Sequence, residues 1–164
     1  MKREEFFTSH GARVWLLDFA EMLFDNLISL PKDVRPDDKE RTGIKILIRE
    51  IGTRNIIFES IAKPSEAAQF FAIEKAVRSE TLGHATSQNS ENPEKMKYAG
   101  SVTAFNYQVS VSGLKADEDV FIAIAVMAKF LDESIESVIF DIEDKGGLLP
   151  EWCSNRNLYH WKVL

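Results

Sequence analysis

Residues 107–112 alternate without a break. Tyr107, Val109 and Val111 fall on one side, and Gln108, Ser110 and Ser112 on the other. A period of two places successive side chains on opposite faces of a strand, so this run reads as a β-strand with one face in the core. The opposite face is either solvated or turned toward a site. Gly113 ends the strand. A helix of about fifteen residues follows, carrying Val120, Phe121, Ile124, Ala125, Met127, Ala128 and Leu131 at helical spacing. Asp117 is the expected N-cap, and Asp117, Glu118 and Asp119 occupy the first turn, where the helix dipole favours negative charge.

The remaining patterns build around that strand and helix. Residues 99–105 pair with 107–113 as a second strand. Residues 44–51 and 56–61 are rich in β-branched side chains and lie a short turn apart, which predicts a hairpin. Residues 12–30 form an amphipathic helix on Leu16, Ala20, Leu23 and Leu27, stopped by Pro31. Ser65 is positioned to cap a further helix that runs to Leu82 and ends at Gly83. On this helix Ala68, Ala72 and Ala76 make one seam, suited to close packing within the domain or across an oligomer interface. Phe70, Ile73 and Val77 make another. Residues 137–142 read as a short fifth strand. Residues 32–41 and 86–95 read as exposed loops. The tail 146–164 holds Trp152, Tyr159 and Trp161 and is expected to pack on the body. Two hairpins separated by a helix predict an α+β fold with an antiparallel sheet of four or five strands flanked by helices.

At 164 residues the chain predicts one domain, 1–164. Its 20 Lys and Arg against 26 Asp and Glu leave a net charge of −6 without a basic stripe, which argues against nucleic acid. No apolar run reaches the roughly 20 residues of a membrane span. Met1-Lys2-Arg3-Glu4-Glu5 leads into polar residues rather than the apolar segment of a signal peptide. Cys153 is alone, which suits a reducing compartment, and a cytoplasmic location is expected.

Val109-Ser110-Val111-Ser112-Gly113, followed by Glu118-Asp119 and a long apolar helix, resembles a signature of the GlcG/HbpS-like family. Ala72-Ile73-Glu74-Lys75-Ala76 falls where that family has a Lys-Ala pair. The resemblance spans about residues 12–131 and leaves 132–164 as a C-terminal extension. It implies a profilin-like fold, homo-oligomers and, by analogy with some members, binding of haem or a related tetrapyrrole. The chain departs from the pattern at Glu50-Ile51-Gly52-Thr53, where family members carry Asp-x-x-Gly, and at Ala62–Ala67, where they carry Arg-x-Asp-Gly-Ala.

The candidate ligand-binding residues are Lys75, His84, Ser110, Ser112 and Gly113. Lys75 suits a ligand carboxylate or phosphate, or else pairs with Glu118 or Glu59 or is simply solvated. His84 is either an axial haem ligand or an exposed residue after the helix end. Ser110 and Ser112, with Gln108, either line a pocket beside the start of the last helix or face solvent. No base accompanies the serines, no His/Cys/Asp/Glu cluster has metal-ligand spacing, and G-x-S-x-G is absent. The six carboxylates of 132–144 are either a solvated face or a surface for a basic partner. The leading expectation is a noncatalytic small-ligand-binding homo-oligomer, and the other is a profilin-like interaction or assembly module.

Overall fold

The computed structural model describes residues 3–164. Met1 and Lys2, which belong to the N-terminal pattern above, lie outside the described residues. The helices are α1 (Arg3–Thr8), α2 (Val14–Ile28), α3 (Glu66–Leu82), α4 (Ala116–Leu131) and α5 (Ile135–Asp144). The strands are β1 (Gly43–Glu50), β2 (Ile56–Ala62), β3 (Ser101–Ala104) and β4 (Tyr107–Ser112). All strand pairs are antiparallel, in the order β2-β1-β4-β3. The protein is therefore α+β with a four-stranded antiparallel sheet. Among the described residues no helix is long and apolar enough to cross a membrane.

The alternation of β4 sorts the two faces of the sheet. Val109 and Val111 pair with Ile48 and Ile46 on the face covered by α2 and α4. That face is the main core. Every residue from Val120 to Ala128 in α4 is at most 5% exposed. On the other face α3 packs over β1 and β4 and leaves β2 uncovered. There the partners are polar. Gln108 and Ser110 are fully buried, and each donates to a carbonyl of α3: Gln108 Nε2 to Ala76 O at 3.0 Å and Ser110 Oγ to Ala72 O at 2.6 Å. The Ala68/Ala72/Ala76 seam permits this. Methyl side chains let the helix backbone approach the sheet closely enough for its carbonyls to accept strand side chains, so Gln108 and Ser110 are buried with their hydrogen bonds made. The seam is thus used within the domain.

Several sequence expectations hold in detail. Ser65 Oγ caps α3 by accepting from Ala68 N at 3.1 Å, and Gly83 ends that helix in the left-handed region. Others are corrected. Residues 137–142 are not a strand but the centre of α5, capped by Ser134, with Val138, Ile139 and Ile142 on one buried face. A short β-branched run carries too few residues to separate the two periods. The N-cap of α4 is Lys115, not Asp117, so all three acidic residues lie inside the helix. The 32–41 loop is not fully solvated, since Arg35 is 6% exposed and ion-paired. In the 86–95 loop Thr86 and Ser87 are buried, and Thr86 Oγ1 donates to Leu148 O at 2.7 Å. The second seam of α3, Phe70, Ile73 and Val77, is exposed.

The core does not stop at residue 131. Val138, Ile142, Trp152 and Val163 belong to the same apolar cluster as the sheet and α4. Trp152 stands edge-on to Phe121, and its Nε1 donates to Asp117 O at 3.0 Å. His160 stacks on Tyr159 and bonds Asp117 Oδ2 through Nε2 at 3.0 Å. Residues 151–163 therefore close the N-terminal end of α4. Trp152→Ala should destabilise the protein by about 3–5 kcal/mol. Urea denaturation followed by far-UV circular dichroism measures this, and a change within experimental error would show that the tail is not part of the core.

Candidate functional site

A cleft of about 640 Å³ opens where the first half of α3, the entry to β1 and the turn from β4 into α4 meet. Ala67, Ala68 and Phe71 of α3 form one wall. Ser112, Gly113 and Leu114 form another, and Pro93, Met96 and Tyr98 close the third. Lys39, Arg41, Lys115 and Glu91 bring charge to its lining. This size is typical of small-molecule sites, as is the mixture of apolar walls with a few polar groups.

Lys75 and Asp119 lie at its base. Lys75 is 1% exposed, and its ammonium donates to Asp119 Oδ2 at 2.9 Å and to Val111 O at 2.8 Å. Asp119 Oδ1 accepts from Leu114 N at 3.0 Å, so the same carboxylate ties the turn before α4. Gly100 makes the arrangement feasible. It has φ of +143°, and a Cβ there would lie 2.7 Å from Lys75 Nζ and collide with the Val111 carbonyl. Lys75 reaches past the start of β3 through that gap, linking the helix on one face of the sheet to the helix on the other. Gly113 is constrained in the same way, since at φ +139° a Cβ would run into the Gly43 carbonyl.

Burial pushes the Asp119 carboxyl up to about 6, although the Lys75 ammonium and the Leu114 amide oppose that rise. The neighbouring carboxylates are engaged elsewhere. Glu118 is fully buried and receives a bidentate Arg35 guanidinium, Nε to Oε2 at 2.6 Å and Nη2 to Oε1 at 2.7 Å, together with the Tyr159 hydroxyl at 2.6 Å. Asp37 joins Arg35 and Arg41. The hydrogen bond from Arg41 holds it down at about 2, against the opposing effect of burial. Arg41 Nη1 also donates to Gly113 O at 3.3 Å.

The structure brings Lys75, Ser112 and Gly113 together in the cleft and leaves two predicted residues out. Ser110 is fully committed to Ala72 O beneath α3. His84 lies beyond the far end of α3, beside a smaller cavity of about 310 Å³ with Ser79, Gln108 and Lys145. Its Nδ1 is buried without a hydrogen-bond partner. Lys75 pairs with Asp119 and not with Glu118 or Glu59; Glu59 is held by Arg13 Nε at 2.7 Å. Phe71, Met96, Tyr98 and Gly100 were not singled out from the sequence. Only Gly100, next to a strand start, carried any local signal. Among the described residues no group of three or more His, Cys, Asp and Glu is placed to hold a metal ion. Within the 132–144 stretch, Asp141 Oδ2 accepts from Phe105 N at 3.0 Å and from Lys145 at 2.7 Å, and Glu136 pairs with Arg156. No protein-family model, curated protein or solved structure matches the chain.

Two outcomes follow from the buried pair. Because the folded pKa of Asp119 lies above its unfolded value, its contribution to stability is full below about pH 4 and is lost as pH rises through about 6. Lys75→Met removes the cation that favours the carboxylate, so Asp119 should titrate higher still. The variant should lose about 3–5 kcal/mol at about pH 7.5 and distinctly less at about pH 4.5, where Asp119 is neutral. Carboxyl-carbon NMR and denaturation at the two pH values read both effects; equal losses would refute the coupling. Gly100→Ala should cost about 2 kcal/mol or more, from the positive φ and the displaced ammonium, as measured by urea midpoint.

Proposed function

We propose that the protein binds a small organic anion noncatalytically in this cleft. The observation that carries the reading is the cleft itself: apolar walls from Phe71, Met96, Tyr98 and Leu114, with Lys39 and Lys115 in its lining. An anionic head with an apolar body matches that division. Lys115 is only partly committed, 3.9 Å from Glu118 Oε2 and 3.4 Å from Pro36 O. The base is better suited to shaping the site than to reacting. Lys75 and both oxygens of Asp119 already have partners within the protein. The order helix, hairpin, helix, hairpin, helix supports the profilin-like reading of the fold.

Haem, which the family resemblance implies, is a poorer match to these residues. Among the described residues no His or Cys lines the cleft, and His84 belongs to the separate, smaller cavity. Of the side-chain types that ligate haem iron axially, the lining offers Met96 and Tyr98 but neither of the commoner His and Cys.

The test uses two probes on the purified protein. The anionic dye 8-anilinonaphthalene-1-sulfonate should bind saturably at one site. Binding should be lost in Ala67→Trp, which fills the wall of the cleft, and weakened about 3–10-fold in Lys115→Ala, the range expected for one partly exposed cation. Val77→Glu, on the outer face of α3, should leave it unchanged. Dye binding that Ala67→Trp does not alter would refute the cleft as the site. Haemin is the second probe: a saturable Soret shift abolished by His84→Ala would replace this reading with the haem one.

A further inference from the structure

The polar face of β4 meets α3 as a ladder. Gln108 Nε2 donates to Ala76 O, and Ser110 Oγ to Ala72 O. Two residues of strand advance about 6.8 Å and four residues of helix about 6 Å, so the rungs keep nearly the same spacing on both elements. The next rung would join Ser112 to Ala68 O, and it is not formed. Ser112 is 6% exposed and lines the cleft beside Ala68, yet among the described residues its hydroxyl has no hydrogen-bond partner. A buried hydroxyl without a partner is costly, and one that borders a cavity is placed to bond whatever fills it.

The start of α3 lies at the same end of the cleft. A Cβ on Gly43 would lie 2.6 Å from Pro64 N, and one on Gly113 would run into the Gly43 carbonyl. The entry to α3 and the end of β4 therefore meet backbone against backbone at Gly43, and Ser65, Ala67 and Ser112 line one cavity. Ser65 Oγ accepts from Ala68 N. The amides of Glu66 and Ala67, at the first two helical positions, find no acceptor among the described residues. α3 is seventeen residues long, and its positive end opens on the cleft. Lys115, at the N-cap of α4, adds an ammonium from the wall that follows Gly113. The charge of Asp119 at the base is offset by Lys75.

We infer that the anionic head bound in this cleft is a phosphate monoester, held by the Ser112 hydroxyl, the Glu66 and Ala67 amides at the start of α3, and the Lys115 ammonium. The inference rests on the cleft reading and names the chemical class of its ligand. Donors on three separate elements call for an anion whose oxygens point in three directions. The terminal oxygens of a phosphate monoester do so, and they carry about −1.5 to −2 of charge near neutral pH. A carboxylate offers two oxygens in one plane and cannot reach all three sets. Free amides at a helix start, a hydroxyl and a lysine are also the donor types that suit phosphate oxygens. The rest of the ligand then lies against Phe71, Met96 and Tyr98.

Isothermal titration calorimetry of the full chain tests this with phenyl phosphate and with phenylacetate, a carboxylate of similar body. Phenyl phosphate should bind at one site at least about tenfold more tightly than phenylacetate. Ser112→Ala should weaken phenyl phosphate about tenfold and phenylacetate less. Its melting midpoint should stay at or above that of the wild type, because the lost hydroxyl bonds nothing within the protein. Two variants at position 66 test the amides. Glu66→Ala and Glu66→Pro both remove the carboxylate, but only proline removes the N–H, and proline suits the first helical position. Ser65, at ψ 162°, already has the extended conformation that precedes proline. Glu66→Pro should bind phenyl phosphate at least about threefold more weakly than Glu66→Ala. Equal binding of the two probes, or phenyl phosphate binding that Ser112→Ala leaves intact, would overturn the inference. Dye binding that Ala67→Trp abolishes, with no binding of phenyl phosphate, leaves the cleft reading standing and rejects the phosphate class. Phenyl phosphate binding that depends on Ser112 supports the inference even where the dye does not bind.

Discussion

Three consecutive carboxylates at the start of α4 hold the parts of this protein together. Asp117 bonds His160 in the tail. Glu118 takes Arg35 from the 32–41 loop and Tyr159 from the tail. Asp119 takes Lys75 from α3 and the amide of Leu114. Successive residues on a helix point about 100° apart, so three adjacent acids reach three different neighbours. Buried ion pairs contribute little net stability against apolar replacements, but losing one partner is costly because a buried charge is left unpaired. The arrangement therefore specifies where α3, the loop and the tail must dock more than it adds to the free energy of folding. That free energy comes from the apolar face of the sheet and the almost wholly buried α4.

The cleft follows from the same contacts. Asp119 fixes the β4–α4 turn, Arg41 holds the carbonyl of Gly113, and Lys75 anchors α3 at one end of the sheet. What remains between these tethered elements is the cavity, with glycines at 100 and 113 where the backbones and the ammonium approach too closely for a side chain. The cleft-facing groups are then the ones left over, with Phe71, Met96, Tyr98, Lys39 and Lys115 among them. At the β2 side of the sheet no such tether covers the surface, and α3 leaves an apolar ridge and groove exposed.

Legibility varied with how local the cause was. The α3 cap at Ser65, the stop at Gly83 and both hairpins depend on a few neighbouring residues, and all were readable. The α5 segment was misread because Ser-Val-Ile-Phe-Asp-Ile carries β-branched residues that suit a strand, while its helical face is defined by contacts with α4 and β3. Lys75 was singled out for the right position with the wrong partners. Its range of carboxylates could be narrowed only by knowing that Gly100 leaves a gap at the start of β3. His84 and Ser110 looked equivalent to Ser112 along the chain, yet one lies past the far end of α3 and the other is locked under it.

The amino-acid sequence by itself determined the class of the fold. Hydrophobic period and turn chemistry act over a few residues, and together they dictate two antiparallel hairpins, an intervening alanine-seamed helix and a long apolar helix to cover the sheet. Only the tertiary structure decided which polar residues are structural and which face a cavity. Gln108, Ser110 and Ser112 share one strand face and all three are buried, but the first two bond to carbonyls of α3 while Ser112 lines the cleft. The three acids of α4 are adjacent in sequence, and their roles differ because elements from four parts of the chain converge there. Such choices depend on distances between residues far apart in the chain, which no local pattern encodes.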